Sequence, residues 1–287
     1  MYTRRLMLLL LLSCQPLPAE QILSAVPVSH PPVIDGHTDD DAWSGAPPLL
    51  TRDAVADIDI ELRACHDGEN IYLLAVFPDS KENREHKPLI WNPLTELYDQ
   101  GFQREDTLVL KWAISPQNTD LSLSASAPYK ADIWYWKSVR TDPAGYADDK
   151  YQLYSAHKTE RSMPLLSKNG TRFYFIRRGD SGTAAYRNQI QLDYAGDHEQ
   201  AYIIEQPEGS RADIRAKGQW KQGVWQIEFA RKLDTGHADD IAFQVGKSYQ
   251  FGVSRYEIAG REPDTRLEVP LFGSGEIGER LLLELSE

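Results

Sequence analysis

ADIWYWKSVRTDPAGYADDKY, residues 131 to 151, sets Trp134, Tyr135 and Trp136 in a row directly before Lys137, Arg140 and an acidic turn. Side chains alternate faces along an extended strand, so Trp134 and Trp136 share one face while Tyr135 and Lys137 share the other. One face is then a flat indole wall. Three uses are open to it: covering a hydrophobic core, stacking on a sugar ring, or walling a pocket for a planar cofactor whose carboxylates would suit Lys137 and Arg140.

Outward from this stretch, short runs with period-two alternation recur at 58–65, 70–77, 107–114, 120–126, 171–178, 212–231, 247–256 and 280–286. They are rich in β-branched and aromatic residues and predict an all-β chain. His66 to Glu69 and Lys221 to Gly223 supply tight hairpin turns, so the sheets should meander in antiparallel fashion. Asp39 to Ala46 allows one short helical turn. No linker, composition break or repeat divides the chain. The expected architecture is one immunoglobulin-like β-sandwich domain over residues 20–287, with long insertions at 80–105, 140–170 and 179–211.

At the N-terminus, Arg4 and Arg5 precede an apolar run from Leu6 to Leu12, too short for a bilayer that needs about 20 apolar residues. Residues 1–19 therefore read as an export signal, which makes the mature protein extracytoplasmic and periplasmic. Two cleavage readings stay open: before Cys14, giving a lipid-anchored lipoprotein, or after Leu17, Pro18 and Ala19. Either removes Arg4 and Arg5 and leaves a chain more acidic than its formal net charge of −12, which argues against a nucleic-acid partner. Cys65 then stands alone, so no internal disulfide is expected.

The sequence holds no CxxCH, no HExxH and no Cys cluster, and Gly273, Ser274, Gly275 lacks nucleophile-elbow spacing. A noncatalytic protein is expected. Acidic runs at Asp39 to Asp41, at Asp148 and Asp149, and at Asp239 and Asp240 offer oxygen ligands to calcium. Arg104, Glu105 and Asp106 read as an ion-pair group that fixes a loop.

Two stretches, PPVIDGHTDDDAWSGAPPL (31–49) and ELRACHDGENIYLLAVFPDS (61–80), resemble the start of family 9 carbohydrate-binding modules and their DOMON-like relatives, with Asp35, Gly36 and Trp43 at signature positions. REDTLVLKWAI (104–114), DIWYWKSVRTDPAGYADDK (132–150), WQIEFARKLDTGHADDIAFQVGKSYQFGV (225–253) and FGSGEIGERL (272–281) resemble the haem-binding domain of ethylbenzene dehydrogenase gamma subunits and of related cytochrome c-552 and dimethyl sulfoxide reductase-like proteins. That resemblance implies a sandwich holding a noncovalent haem b, with electron transfer to a redox partner such as a molybdenum enzyme or a cytochrome. It marks Trp134, Trp136, Lys137 and Arg140 as cofactor-binding residues. The family's iron ligands are a Met shortly before the aromatic motif and a Lys late in the chain. Here Leu123 to Lys130 holds no Met, and AGREPDTRLEVP (259–270) holds no Lys. Lys130, His66 and Met163 are the candidate iron ligands instead, with His157 and His237 behind them. Two other functions follow from the same residues. One is a carbohydrate-binding module with Trp134 or Trp136 under a sugar ring; the other is a structural lipoprotein that has lost its haem.

Overall fold

A computed structural model describes residues 21–53, 58–254 and 280–287. The export signal with Cys14 and the stretch 259–270 lie outside the described residues. In chain order the strands are β1 (Gln21–Pro27), β2 (Leu49–Asp53), β3 (Ile58–His66), β4 (Asn70–Pro78), β5 (Leu89–Asn92), β6 (Leu97–Gln100), β7 (Thr107–Ser115), β8 (Tyr129–Lys137), β9 (Asp148–Ser155) and β10 (Met163–Leu166). They continue with β11 (Arg172–Gly179), β12 (Gly182–Thr183), β13 (Tyr186–Asn188), β14 (His198–Glu199), β15 (Tyr202–Ile204), β16 (Glu208–Gly209), β17 (Arg215–Lys221), β18 (Val224–Lys232), β19 (Ser248–Ser254) and β20 (Leu281–Leu285). One short helix, α1 (Asp41–Gly45), stands where the Asp39 to Ala46 turn was expected.

The main sheet runs β10-β11-β9-β8-β7-β19-β20-β1-β3-β4-β18-β17, with β2 beside β3. β1 lies parallel to β20 and to β3. The sheet turns back on itself so that β8 faces β18: Trp136 meets Trp225 at 4.9 Å between ring centroids, and Trp134 meets Phe229 at 6.3 Å. The result is the expected β-sandwich, with a core of Leu, Ile, Phe and Trp between the two halves. Gly218 on β17 matters here, because a Cβ at that position would sit 2.5 Å from Trp136 Cζ2. No helix among the described residues is long and apolar enough to cross a membrane.

A second apolar layer lies on the outer face of β7, β8, β9 and β11, built from Val109, Ile133, Tyr135, Tyr154, Phe173 and Phe175. Leu121, Leu123 and Ala125 cover it. The segment 120–126 was expected as a strand and is a turn. Asp120 accepts from the Ser122 N–H and Ala125 N–H bonds the Ser122 carbonyl, so local side-chain bonding replaces a ladder while the alternate apolar residues still bury. The expected insertion at 140–170 is also corrected: it contains β9, a central strand, and β10 at the sheet edge. The other two insertions carry small sheets of their own, β14-β5-β6, β12-β16 and β13-β15.

Candidate cofactor site

Alternation along β8 sends Tyr135 and Lys137 to the outer face, opposite the two indoles. Lys137 is 1% exposed, and its Nζ lies 2.5 Å from Asp148 Oδ2 on β9. Lys150 and Arg211 reach the same carboxylate. Burial works against an ionised Asp148, but Lys137, Lys150 and Arg211 together hold its carboxyl well below the usual range. For Lys137 burial is the largest influence and lowers its pKa to about 8, partly offset by Asp148; Lys150 is brought to about 8 in the same way.

Arg140 is brought into the same cluster by the turn after β8. Its Nε bonds Glu105, a buried carboxylate that also accepts from the Val139 and Arg140 N–H groups. This is the loop-fixing role read for Glu105, and Asp106 plays a parallel one by accepting from Asn83 N–H and Trp225 Nε1. Tyr186 and Tyr202 from the 179–211 insertion close over the cations. Lys137 Nζ is 3.0 Å from Tyr186 Oη, and the Arg140 guanidinium lies over both rings at 5.2 and 5.3 Å. Arg177 on β11 adds a fifth cation, 5.7 Å from the Tyr135 ring centroid, and its buried Nη1 has no hydrogen-bond partner. Four cations thus face the carboxylates of Glu105 and Asp148, with Arg177 beside them over Tyr135, inside a protein whose net charge is −12. An orphaned guanidinium N–H and an excess of positive charge suit an anionic ligand with carboxylates.

His86 belongs to the same cluster. Its ring centroid is 5.6 Å from that of Tyr202, and Nδ1 is 3.3 Å from Glu105 Oε1. Burial first, then Arg140, Arg104, Lys87 and Lys137, lower its pKa to about 2, which leaves a neutral imidazole. Neutral imidazole is the form that ligates metals.

Of the sequence-predicted residues, Lys137 and Arg140 share this cluster. Trp134 and Trp136 do not; both are fully buried on the opposite face, where Trp136 Nε1 donates to Asp142 Oδ1 at 3.0 Å. The candidate iron ligands lie apart from one another in the sheet. Lys130 Nζ donates to the Ala238 carbonyl at 3.0 Å, Met163 is on the edge strand β10, and His66 is buried on β3 with Nε2 2.8 Å from the Ser286 carbonyl. His157 is exposed, and His237 pairs with Asp213. Arg177, Arg211, His86, Tyr186 and Tyr202 carried no signal in the sequence, because each comes to the cluster from a different element; Lys150 ends the quoted 132–150 motif but was not singled out.

The open aromatic surface lies elsewhere. Trp91 packs edge-on against Tyr98 and Tyr194, and with Ile90, Pro93 and Asp197 lines a surface depression of about 580 Å³. In the same two insertions Leu94, Phe102, Ile190 and Leu192 are each at least 71% exposed.

Comparison with known proteins gives one family. Residues 40–263 match the model described as Ethylbenzene dehydrogenase. Among solved structures, a family 9 carbohydrate-binding module from Caldicellulosiruptor kristjanssonii in complex with cellotriose is 14% identical, with a TM-score of 0.39, covering 92% of this chain and 94% of its own. A family 9 carbohydrate-binding module from the same organism in complex with glucose is also 14% identical with a TM-score of 0.39, covering 84% of this chain and 80% of its own. A structure described as a putative carbohydrate-binding protein from Bacteroides uniformis is 11% identical, with a TM-score of 0.40, covering 93% and 99%. No curated protein matches the chain. The match over residues 40–263 takes in more than half of the sequence, and the chain belongs to the ethylbenzene dehydrogenase family.

Proposed function

We propose that this protein is an exported, noncatalytic carrier of noncovalent haem b that exchanges electrons with a redox partner. The observation that carries the reading is the cluster of Lys137, Arg140, Lys150, Arg177 and Arg211, walled by Tyr135, Tyr186 and Tyr202, with an unpartnered buried N–H on Arg177. Haem presents two carboxylates on one edge of a flat apolar disc. Guanidinium and ammonium groups recognise the carboxylates, and tyrosine faces suit the disc. Within this reading Lys137, Arg140 and Arg177 hold the propionates, and neutral His86 is the imidazole in reach of the cluster. Haem supplies a reversible one-electron couple when bound. The exposed apolar residues Leu94, Phe102, Ile190 and Leu192 supply a face for the partner, a molybdenum enzyme or a cytochrome.

The depression at Trp91 and Tyr194 favours a second reading, sugar binding, because aromatic faces beside the Asp197 carboxylate suit a pyranose ring. Trp134 and Trp136 take no part in it, being closed inside the core.

Titration of the purified mature chain with haemin separates the two. The haem reading predicts a Soret shift that saturates at one equivalent and responds to dithionite. Unchanged spectra at stoichiometric haemin, together with heat on adding cello-oligosaccharide, would overturn it in favour of the sugar.

A further inference from the structure

Asp148 and Asp149 are neighbours on β9 whose side chains leave on opposite faces. Asp148 enters the cationic cluster, whereas Asp149 enters a buried cluster made mostly of acids. Ligand oxygens of Asp132, Asp149 and Asp240 all lie within 4.8 Å of one another. Asp132 and Asp149 share the inner face of the β8–β9 pair, where Asp149 stands opposite Trp134 in register. Asp180 follows β11, its N–H bonded to the Asp149 carbonyl at 3.2 Å, and its carboxyl interacts directly with that of Asp149. Asp240 comes from the loop between β18 and β19 and is held by Thr235 Oγ1 at 2.5 Å.

Asp132 and Asp149 are fully buried, and Asp180 and Asp240 are at most 9% exposed. Two cations answer them in part: Arg231 Nη1 lies 2.5 Å from Asp132 Oδ2, and Arg211, paired with Asp148, also acts on Asp180. Six buried carboxylate oxygens remain with no hydrogen-bond partner, namely Asp132 Oδ1, both oxygens of Asp149, both of Asp180, and Asp240 Oδ1. Buried carboxylates without a partner are costly to keep ionised, so either a cation or shared protons must answer them.

We propose that Asp132, Asp149, Asp180 and Asp240 bind one calcium ion that ties β8, β9 and the end of β11 to the β18–β19 loop. Oxygens of Asp132, Asp149 and Asp240 gathered within 4.8 Å, with the Asp180 carboxyl beside Asp149, offer the oxygen-only ligands that calcium takes in flexible geometry. An all-oxygen set without sulfur or imidazole selects a hard cation over zinc or copper. Magnesium fits less well, since it dehydrates reluctantly and is seldom held in an all-protein cage. Burial, followed by mutual repulsion, otherwise lifts Asp149 well above the usual carboxylate range and Asp180 and Asp240 to about 7. The alternative to calcium is a set of carboxyls that share protons. Of the acidic runs seen in the sequence, those at 148–149 and 239–240 each contribute one member, and Asp39 to Asp41 contribute none. The site stands apart from the haem reading and does not depend on it.

The test uses the full mature chain stripped with EGTA. Isothermal titration with calcium chloride should show one saturable site, and millimolar calcium should raise the melting temperature by about 5 °C or more, with a smaller rise from magnesium. Asp149→Asn should abolish the calcium-dependent rise. Asp240→Asn, on a loop and therefore tolerant of change, should weaken calcium about tenfold or more while keeping the wild-type circular dichroism. No heat and no shift in melting temperature for the stripped wild-type chain overturns the proposal and assigns the cluster to shared protons. Tighter binding of zinc than of calcium also overturns it.

Discussion

Lys137 shows how one residue serves the fold and, under the proposed function, the ligand. It is buried against Asp148, Tyr135 and Tyr186, with Arg140, Lys150 and Glu105 also facing it, and its pKa falls to about 8. An anionic ligand favours the charged form. Below about pH 8 the amine is already protonated when the ligand arrives. Above it, binding must take up a proton, so affinity for haemin should fall as pH rises through 8, by up to tenfold per unit for this one group. Haemin titrations across that range check it; a flat profile with Lys137→Met matching wild type would remove Lys137 from the site. At this scale Lys137 and Arg140 were legible, because they are cations beside aromatics in one continuous motif. Arg177 and His86 were not. Arg177, one of two adjacent Arg near a sheet edge, and His86, a lone His in a polar loop, look solvated until the fold sets them against Tyr135 and Tyr202.

Among the elements, β18 best shows how a strand fixes its surroundings. Glu228 points away from the Trp225–Phe229 face, towards α1. Its Oε1 accepts from Trp43 Nε1 at 2.7 Å, and its Oε2 accepts from Gly36 N–H at 2.7 Å and Asp35 N–H at 3.1 Å. Asp35, Gly36 and Trp43, picked from the sequence as signature residues, thus share one buried carboxylate. Burial raises the pKa of Glu228 to about 7 against the pull of these donors. At about pH 8, where the carboxylate is ionised, Glu228→Gln turns an amide donor onto one of the three N–H groups and should cost about 1–3 kcal/mol. A shifted urea midpoint with an unchanged slope is the expected readout, and an unmoved midpoint would show the contacts to be dispensable. Strands with their own alternation, such as β3, β4, β7 and β18, were readable from local pattern. β9 was hidden because DDKY reads as a polar turn. Its first two residues bury only because separate charge clusters await them on either face of the sheet. DLSLSAS fails in the other direction, with strand-like alternation in a segment whose Asp and Ser side chains bond their own backbone.

Taken whole, the molecule is a sandwich with an aromatic interior and two opposite charge clusters on the two sides of β8 and β9. The outer one is cationic and faces the 179–211 insertion; the inner one is acidic and faces the β18–β19 loop. The indole wall covers the core, and the proposed haem site is the cation-and-tyrosine face behind it. Under the proposed function this outer face recognises the carboxylate edge of haem. The most direct measurement compares haemin with its dimethyl ester, whose propionates are blocked, in spectral titrations of the mature chain. Each charge-assisted bond to a propionate contributes about 1.5–3 kcal/mol, so the ester should bind at least about tenfold more weakly than haemin. Equal affinity for the two, or no saturable Soret shift with either, would contradict the account.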